Sequence, residues 1–219
     1  MISGASETPS LDSLLRQLEN PYVYDRIRAI DTLGNLKDPR AIQPLIEALK
    51  DSEHYAAEDA AKALAKYGPT AFPALIKAFD HPEPQVRVWA VGAVWMSGQA
   101  KQILPELLSL LSRETTDYVR LGVIGVLGDF QDPSITKAVL PFLESPDAMM
   151  KMSAAQTLGK QKDPKAVPAL VKELTDERPS VVSNIHWALC NIAGQDFGTD
   201  AKAWLKWART HKPLKKKTR

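Results

Sequence analysis

Apolar residues recur at intervals of three and four along nearly the whole chain, and that helical pattern is itself repeated about every thirty residues. The stretch Val86-Arg87-Val88-Trp89-Ala90-Val91-Gly92-Ala93-Val94-Trp95 serves as a ruler. Aligned on its last residue, the chain gives a column of Gly34, Ala65, Trp95, Gly128, Gly159 and Cys190, spaced by 31, 30, 33, 31 and 31. One place earlier stand Leu33, Leu64, Val94, Leu127, Leu158 and Leu189; five places earlier stand Ala29, Ala60, Ala90, Val123, Ala154 and Ile185. Eight places earlier stand Arg26, Ala57, Arg87, Arg120, Lys151 and Val182. A fixed period with matching columns predicts an all-α solenoid of about six short helix pairs over residues 11–194. No run of alternating β-branched residues bounded by turn dipeptides competes with that reading.

Start and stop signals repeat with the same period. Leu11, Leu14, Leu15 and Leu18 share one face of a first helix, which ends at Asn20-Pro21 because a residue before proline avoids the α region. Its partner helix is expected from Tyr24 to Leu33, with Gly34 as the stop. The linker Gly34-Asn35-Leu36-Lys37-Asp38-Pro39-Arg40-Ala41-Ile42 returns as Gly159-Lys160-Gln161-Lys162-Asp163-Pro164-Lys165-Ala166-Val167, and partly as Gly128 to Pro133. In each, the aspartate caps a new first helix and the proline sits where no N–H is needed. Pro44, Pro73, Pro105, Pro141 and Pro168 fall early in these first helices and should kink them gently. A last helix over residues 195–208, capped by Thr199 or Asp200, sets Trp204, Leu205 and Ala208 on one face. It reads as a lid on the sixth pair with Trp204 as plug, the alternative being a partner-binding tryptophan pair. Residues 1–10 read as a disordered N-terminus and residues 209–219 as a mobile basic tail.

Charge sharpens the picture. Seven of the 28 basic side chains lie in Lys206–Arg219, which holds no acid; the remainder carries 21 basic against 26 acidic groups, a net of −5. A mildly acidic body with a basic tail argues against nucleic acid as the partner. A single cysteine excludes an internal disulfide framework. The opening residues lack the basic and apolar regions of a signal peptide, and no apolar run approaches a membrane span. The expected location is cytoplasmic.

Reactive side chains are few. His54, His81, His186 and His211 show no pair at i, i+3 or i+4 with one another and are not expected to join a Cys/Asp/Glu cluster of metal-ligand spacing, so no metal site is expected. His186 falls in a column of Ile and Ala and is expected to be buried with a backbone partner. Cys190 falls in the Gly/Ala column and is expected to be a packed thiol with no thiolate-stabilising neighbour. Gly122, Gly125 and Gly128 are spaced by three within a helix, which is no phosphate loop, and no Gly-x-Ser-x-Gly is present. No catalytic residue is assigned.

The unit opens one helix with Asp-Pro-x-Ala-Ile/Val and closes the next with Val-Arg-x-x-Ala-x-x-Ala-Leu-Gly. It resembles the short HEAT-like repeats named after phycocyanobilin lyases, over roughly residues 11–194 and best at Asp80–Trp95, Tyr118–Pro133 and Lys151–Val167. The resemblance implies a right-handed array with the second helices lining a concave side. It also implies kinship with lyase subunits and chromophore-detaching factors for phycobiliproteins, and with adaptors of no common activity. The partner implied is a phycobiliprotein or a second HEAT-like subunit, and a linear tetrapyrrole is the one ligand it suggests. Ala57 and Val182 replace the usual arginine and should interrupt any polar ladder built on it. HEAT-like DNA glycosylases are an alternative of another class, set back by the acidic body.

On the helical wheel, positions −1, −4, −5 and −8 from the last column face the core, and −3, −6 and −10 point the opposite way, into the expected concave face where a partner would bind. The outward positions carry three of the five tyrosines and two of the five tryptophans but no glutamate, unlike an ordinary solvated face. Tyr24, Tyr55, Trp89, Tyr118 and Trp187, with Arg28, Asp59 and Asn184 beside them, are therefore the expected partner-binding residues of a non-catalytic scaffold. The inward leucines should carry stability. Leu127→Ala is expected to cost about 2–5 kcal/mol in urea unfolding, and more than Leu33→Ala, whose repeat has fewer neighbours.

Overall fold

The computed structural model describes residues 9–211; the expectations for residues 1–8 and for the tail beyond His211 lie outside them. The described chain is all-helical and falls into two compact units, Met1–Ile103 and Leu104–Arg219. In the first, α1 (Leu11–Gln17) pairs with α2 (Val23–Leu36), α3 (Ile42–Glu47) with α4 (His54–Tyr67), and α5 (Phe72–Ala78) with α6 (Pro84–Met96). In the second, α7 (Leu104–Arg113) pairs with α8 (Asp117–Leu127), α9 (Pro133–Val139) with α10 (Ala148–Gln161), and α11 (Val167–Lys172) with α12 (Pro179–Ala193). Within each unit the second helices pack side by side: α2 on α4 on α6, and α8 on α10 on α12. This is an α-solenoid architecture, with three helix pairs in each unit.

The columns explain the packing. Leu33, Leu64, Val94, Leu127, Leu158 and Leu189 are fully buried, and the small residues five places earlier are buried with them. Alanines in that column let neighbouring second helices approach closely. The last column goes further. A Cβ added at Gly34 would lie 2.8 Å from the Ala63 Cβ and 2.9 Å from its Cα; one at Gly159 would lie 2.7 Å from the Trp187 ring and 2.8 Å from the Ala188 Cα. These glycines are therefore contact points between helices. They are not the stops expected of them, for α2 and α10 run on to Leu36 and Gln161. The stops are Lys37 and Lys162, both left-handed at φ 54°.

The first helices also differ from expectation. They are broken, not gently kinked. A 3₁₀ turn over Pro39–Ala41 precedes α3 and another over Ala48–Lys50 follows it; α9 gives way at Leu140 to a 3₁₀ stretch through Pro141 to Glu144. At the end of α9, Pro141 has no N–H to continue the i→i−4 ladder, and the chain tightens there into the 3₁₀ stretch. The aspartate caps form as the sequence pattern requires: Asp38, Asp132 and Asp163 accept from the amides of Arg40, Ser134 and Lys165 at 3.0, 2.9 and 3.0 Å.

The cations eight places before the last column tie turns together. Arg26 on α2 makes a bidentate pair with Asp51 at 2.7 and 2.8 Å, and donates to the Asn20 carbonyl at 2.9 Å. One arginine thus binds the turn of its own pair and that of the next. Burial works against the Asp51 charge, but the Arg26 guanidinium and the Glu53 amide outweigh it and hold the carboxyl below its ordinary range. Lys151 on α10 likewise reaches the turn of the next pair, pairing with Glu173 and with Asp176, the latter at 3.0 Å. Arg87 and Arg120 donate to carbonyls of their own turns, those of His81 and Glu114, each at 2.8 Å. Ala57, fully buried, and Val182, half-buried, offer no such group.

The glycine contacts make a paired prediction. Gly34→Ala meets backbone across the interface and should destabilise by about 1–3 kcal/mol. Gly125→Ala, on an exposed face of α8 with nothing within 4 Å of the added Cβ, should stabilise by up to about 1 kcal/mol through helix propensity. Urea unfolding of the two variants checks the signs.

Candidate functional site

None of the eight expected partner-binding residues is buried. On the first unit, Tyr24 is 78% and Tyr55 72% exposed, on adjacent helices α2 and α4. Arg28 lies one turn after Tyr24 and Asp59 one turn after Tyr55. Those two line a groove of about 530 Å³ between α2 and α4, together with Ile27, Asp31, Lys62 and Lys66. Its charges are mixed and largely paired: Lys66 bonds Asp31 at 2.8 Å, and Lys62 bonds Glu58 and Asp59 at 2.9 and 3.0 Å. Trp89 on α6 is half-buried, its ring 5.1 Å from that of His54 at the start of α4. Tyr24, Arg28, Tyr55, Asp59 and Trp89 thus follow three neighbouring helices of one unit.

On the second unit, Tyr118 (48% exposed) stands on α8, and Asn184 and Trp187 (45% exposed) on α12. Asn184 accepts from Gln156 of α10 at 2.7 Å. The indole of Trp187 leans on α10 over Gly159, so one edge packs while the rest meets solvent.

A different group of side chains comes together at the end of α12. His186 is not buried against backbone as its column suggested. It is about a third exposed, and its Nε2 lies 2.8 Å from Asp196 Oδ1 and 3.7 Å from Cys190 Sγ. The donor atoms of the three residues all lie within 4.8 Å of one another. Two features of the fold build this group. His186 and Cys190 are one helical turn apart on α12. The chain then leaves the helix at Gly194, left-handed at φ 69°, and folds Asp196 back over that turn. Asp196 Oδ1 also accepts from the Gly198 amide at 2.6 Å, and the Gly198 carbonyl accepts from Trp204 Nε1 at 2.9 Å. Trp204, fully buried, belongs to α13 (Ala201–Thr210), which is capped by Asp200 and packs on α11. The Phe197 ring meets Trp204 edge-on at 4.8 Å. The loop carrying Asp196 is thus pinned from below.

This cluster overturns the expectation that no histidine joins Cys, Asp or Glu side chains at ligand spacing. The pair His186-x-x-x-Cys190 is the local signal for two of its members, and the third arrives through a loop whose path no pattern reveals. Nor does Cys190 lack a polar neighbour. That neighbour does not activate it: burial, and then the charge of Asp196, push the thiol above its ordinary range. The Gly198 amide, and then His186, hold the Asp196 carboxyl below its own.

Comparison with known families agrees with the geometry. The model for HEAT repeats matches residues 11–95 and 104–190, and the chain belongs to this family. The two matched blocks fall one in each structural unit. A search of curated proteins finds no match. Among solved structures, the E. coli protein YibA is similar at 17% identity and a TM-score of 0.59, over 84% of this chain and 70% of that one. A designed armadillo repeat protein in complex with the peptide (KR)4 is similar at 16% identity and a TM-score of 0.53, over 84% and 100%. The complex of CpcE and CpcF of phycocyanin lyase from Nostoc sp. PCC7120 is similar at 20% identity and a TM-score of 0.50, over 96% and 97%. These likenesses concern the fold. Among the described residues no helix is long and apolar enough to cross a membrane.

The surroundings of Cys190 set its reactivity. In buffer with EDTA at pH 8 the thiol should react with iodoacetamide several-fold more slowly than a free cysteine. Asp196→Asn, which removes a charge opposing the thiolate, should speed the reaction. Unchanged rates in the variant would show that Asp196 does not act on the thiol.

Proposed function

We propose that this protein is a non-catalytic scaffold that binds a protein partner along the outward face of its second helices. The observation that carries this reading is the row on α2, α4 and α6. There two tyrosines stand more than two-thirds exposed beside a groove of about 530 Å³, and a tryptophan follows on the next helix. Aromatic side chains in water do little for folding. They supply rigid contact area to a partner, with Arg28 and Asp59 available for polar contacts at the groove. Tyr118, Asn184 and Trp187 offer a second contact area on the other unit. The fold supports the reading, since repeat arrays present extended surfaces built from successive units.

A finer version names the partner as a phycobiliprotein or a second HEAT-like subunit. The chain would then be a subunit of a phycobilin lyase or a chromophore-detaching factor, with a linear tetrapyrrole as the small ligand. Its support is the resemblance of the repeat and the similarity of fold to the phycocyanin lyase complex. Mixing the protein with phycocyanobilin and apo-phycocyanin, with and without a second HEAT-like subunit, tests this version. A shift in bilin absorbance or chromophore transfer supports it, and an unchanged spectrum in every mixture removes it.

The scaffold reading is tested by the double variant Tyr24→Ala/Tyr55→Ala. Both side chains are exposed, so the circular dichroism spectrum and Tm should match the parent. Affinity for the partner recovered by pull-down from the native cell should fall at least tenfold, about 1.4 kcal/mol or more. Unchanged affinity would place the partner elsewhere.

A further inference from the structure

We propose that His186, Cys190 and Asp196 form a binding site for one divalent ion of the zinc class, closing the loop between α12 and α13. The three donor atoms converge on one point. Around a tetrahedral zinc, a thiolate sulfur and an imidazole nitrogen lie about 3.6 Å apart, and a nitrogen and a carboxylate oxygen about 3.3 Å. The corresponding separations here are 3.7 and 2.8 Å. The three ligand atoms all lie within 4.8 Å of one another, so a small adjustment of the exposed carboxylate brings it to coordinating distance.

The same geometry speaks against a nucleophilic cysteine relay. In such a relay the imidazole uses one ring nitrogen for the thiol and the other for the carboxylate. Here Nε2 faces both partners. A single nitrogen that donates a proton to Asp196 cannot also accept one from Cys190. Three donors around a common centre are what a metal requires. The donor set of one sulfur, one nitrogen and one oxygen suits zinc, or cobalt in its place, and not the all-oxygen preference of calcium or magnesium.

The site is also built. Asp196 is oriented by the Gly198 amide, and Gly198 is held by the buried indole of Trp204. Such outer contacts hold ligands in place before the ion arrives. His186 and Asp196 both reach solvent, which leaves an entry path and a fourth coordination position. Binding replaces the thiol proton with the metal, so the ion, and no neighbouring base, supplies the charge that stabilises the thiolate. The consequence for the fold is a staple: the last turn of the final second helix is joined to the loop that carries the terminal helix.

Cobalt(II) titration of the full chain tests the proposal. The chain has one cysteine, so a thiolate-to-cobalt charge-transfer band can report this site alone. The expected result is a band that saturates at one equivalent, disappears on adding Zn²⁺, and is absent in Cys190→Ser. Affinity should fall at least tenfold in His186→Ala and in Asp196→Asn, whose exposed side chains can be changed without loss of helix, as circular dichroism would verify. Zn²⁺ should raise the Tm of the parent and not that of Asp196→Asn. The proposal is overturned by the absence of a band at micromolar cobalt. It is equally overturned by a band of undiminished affinity in the His186 and Asp196 variants, or by saturation at one ion per two chains, which would mean that Cys190 bridges two molecules.

Discussion

The close approach of neighbouring second helices is the constraint from which the rest of the structure follows. Gly34 lies against Ala63, and Gly159 against Ala188 and Trp187, at distances that leave no room for a side chain. Backbones that come this near bring the leucine column into a continuous core within each unit and set the turns of successive pairs there within reach of one another. Arg26 can then bridge two turns, and Lys151 on α10 can reach the turn of the next pair. It also fixes what remains outside. With the small residues turned inward, Tyr24 and Tyr55 are left largely to solvent, while Trp89 lies against the His54 ring.

The polar contacts between repeats follow from the same closeness. Tyr67 donates to the Leu33 carbonyl at 2.8 Å, Gln161 to that of Phe130 at 2.6 Å and Asn191 to that of Gly159 at 3.0 Å. Each reaches back from the end of one second helix to the end of the one before. The Leu33 and Gly159 carbonyls also accept from the cap amides of Lys37 and Lys162 at 3.2 and 3.3 Å, so the next repeat adds a second donor at these helix ends. Burial of Tyr67 raises its hydroxyl to about 12, so it remains a donor throughout the ordinary pH range. Stacking thus satisfies both the apolar columns and the ends of the helices.

Much of this was legible in the chain itself. The spacing of Leu33, Leu64, Leu127, Leu158 and Leu189 reveals the core, and Asp-Pro reveals where first helices begin, because both depend on local periodicity and local capping. Gly34 was open to misreading. A glycine near a helix end signals a stop, whereas its role depends on the neighbouring helix, which no local pattern contains. The first helices broke because several turn-sized effects of proline act together in elements only six or seven residues long. The grouping of His186, Cys190 and Asp196 lay half in view. Helical spacing relates the first two, but the third depends on the left-handed residue Gly194 and on the anchorage of Gly198 by Trp204. The outward aromatics followed directly from the helical wheel, because solvent exposure is what that geometry reports.

The burial of Trp204 has a consequence for growth. A stack of like repeats offers at its last pair the same kind of apolar surface on which every earlier pair is built, so an open face there invites another molecule to add on. Helix α13 covers α11, and its tryptophan fills the space with its one polar atom satisfied by Gly198. An added copy would have to displace a fully buried indole before finding any surface on which to dock. Helix α13 therefore takes up surface of the sixth pair on which a further copy could otherwise stack.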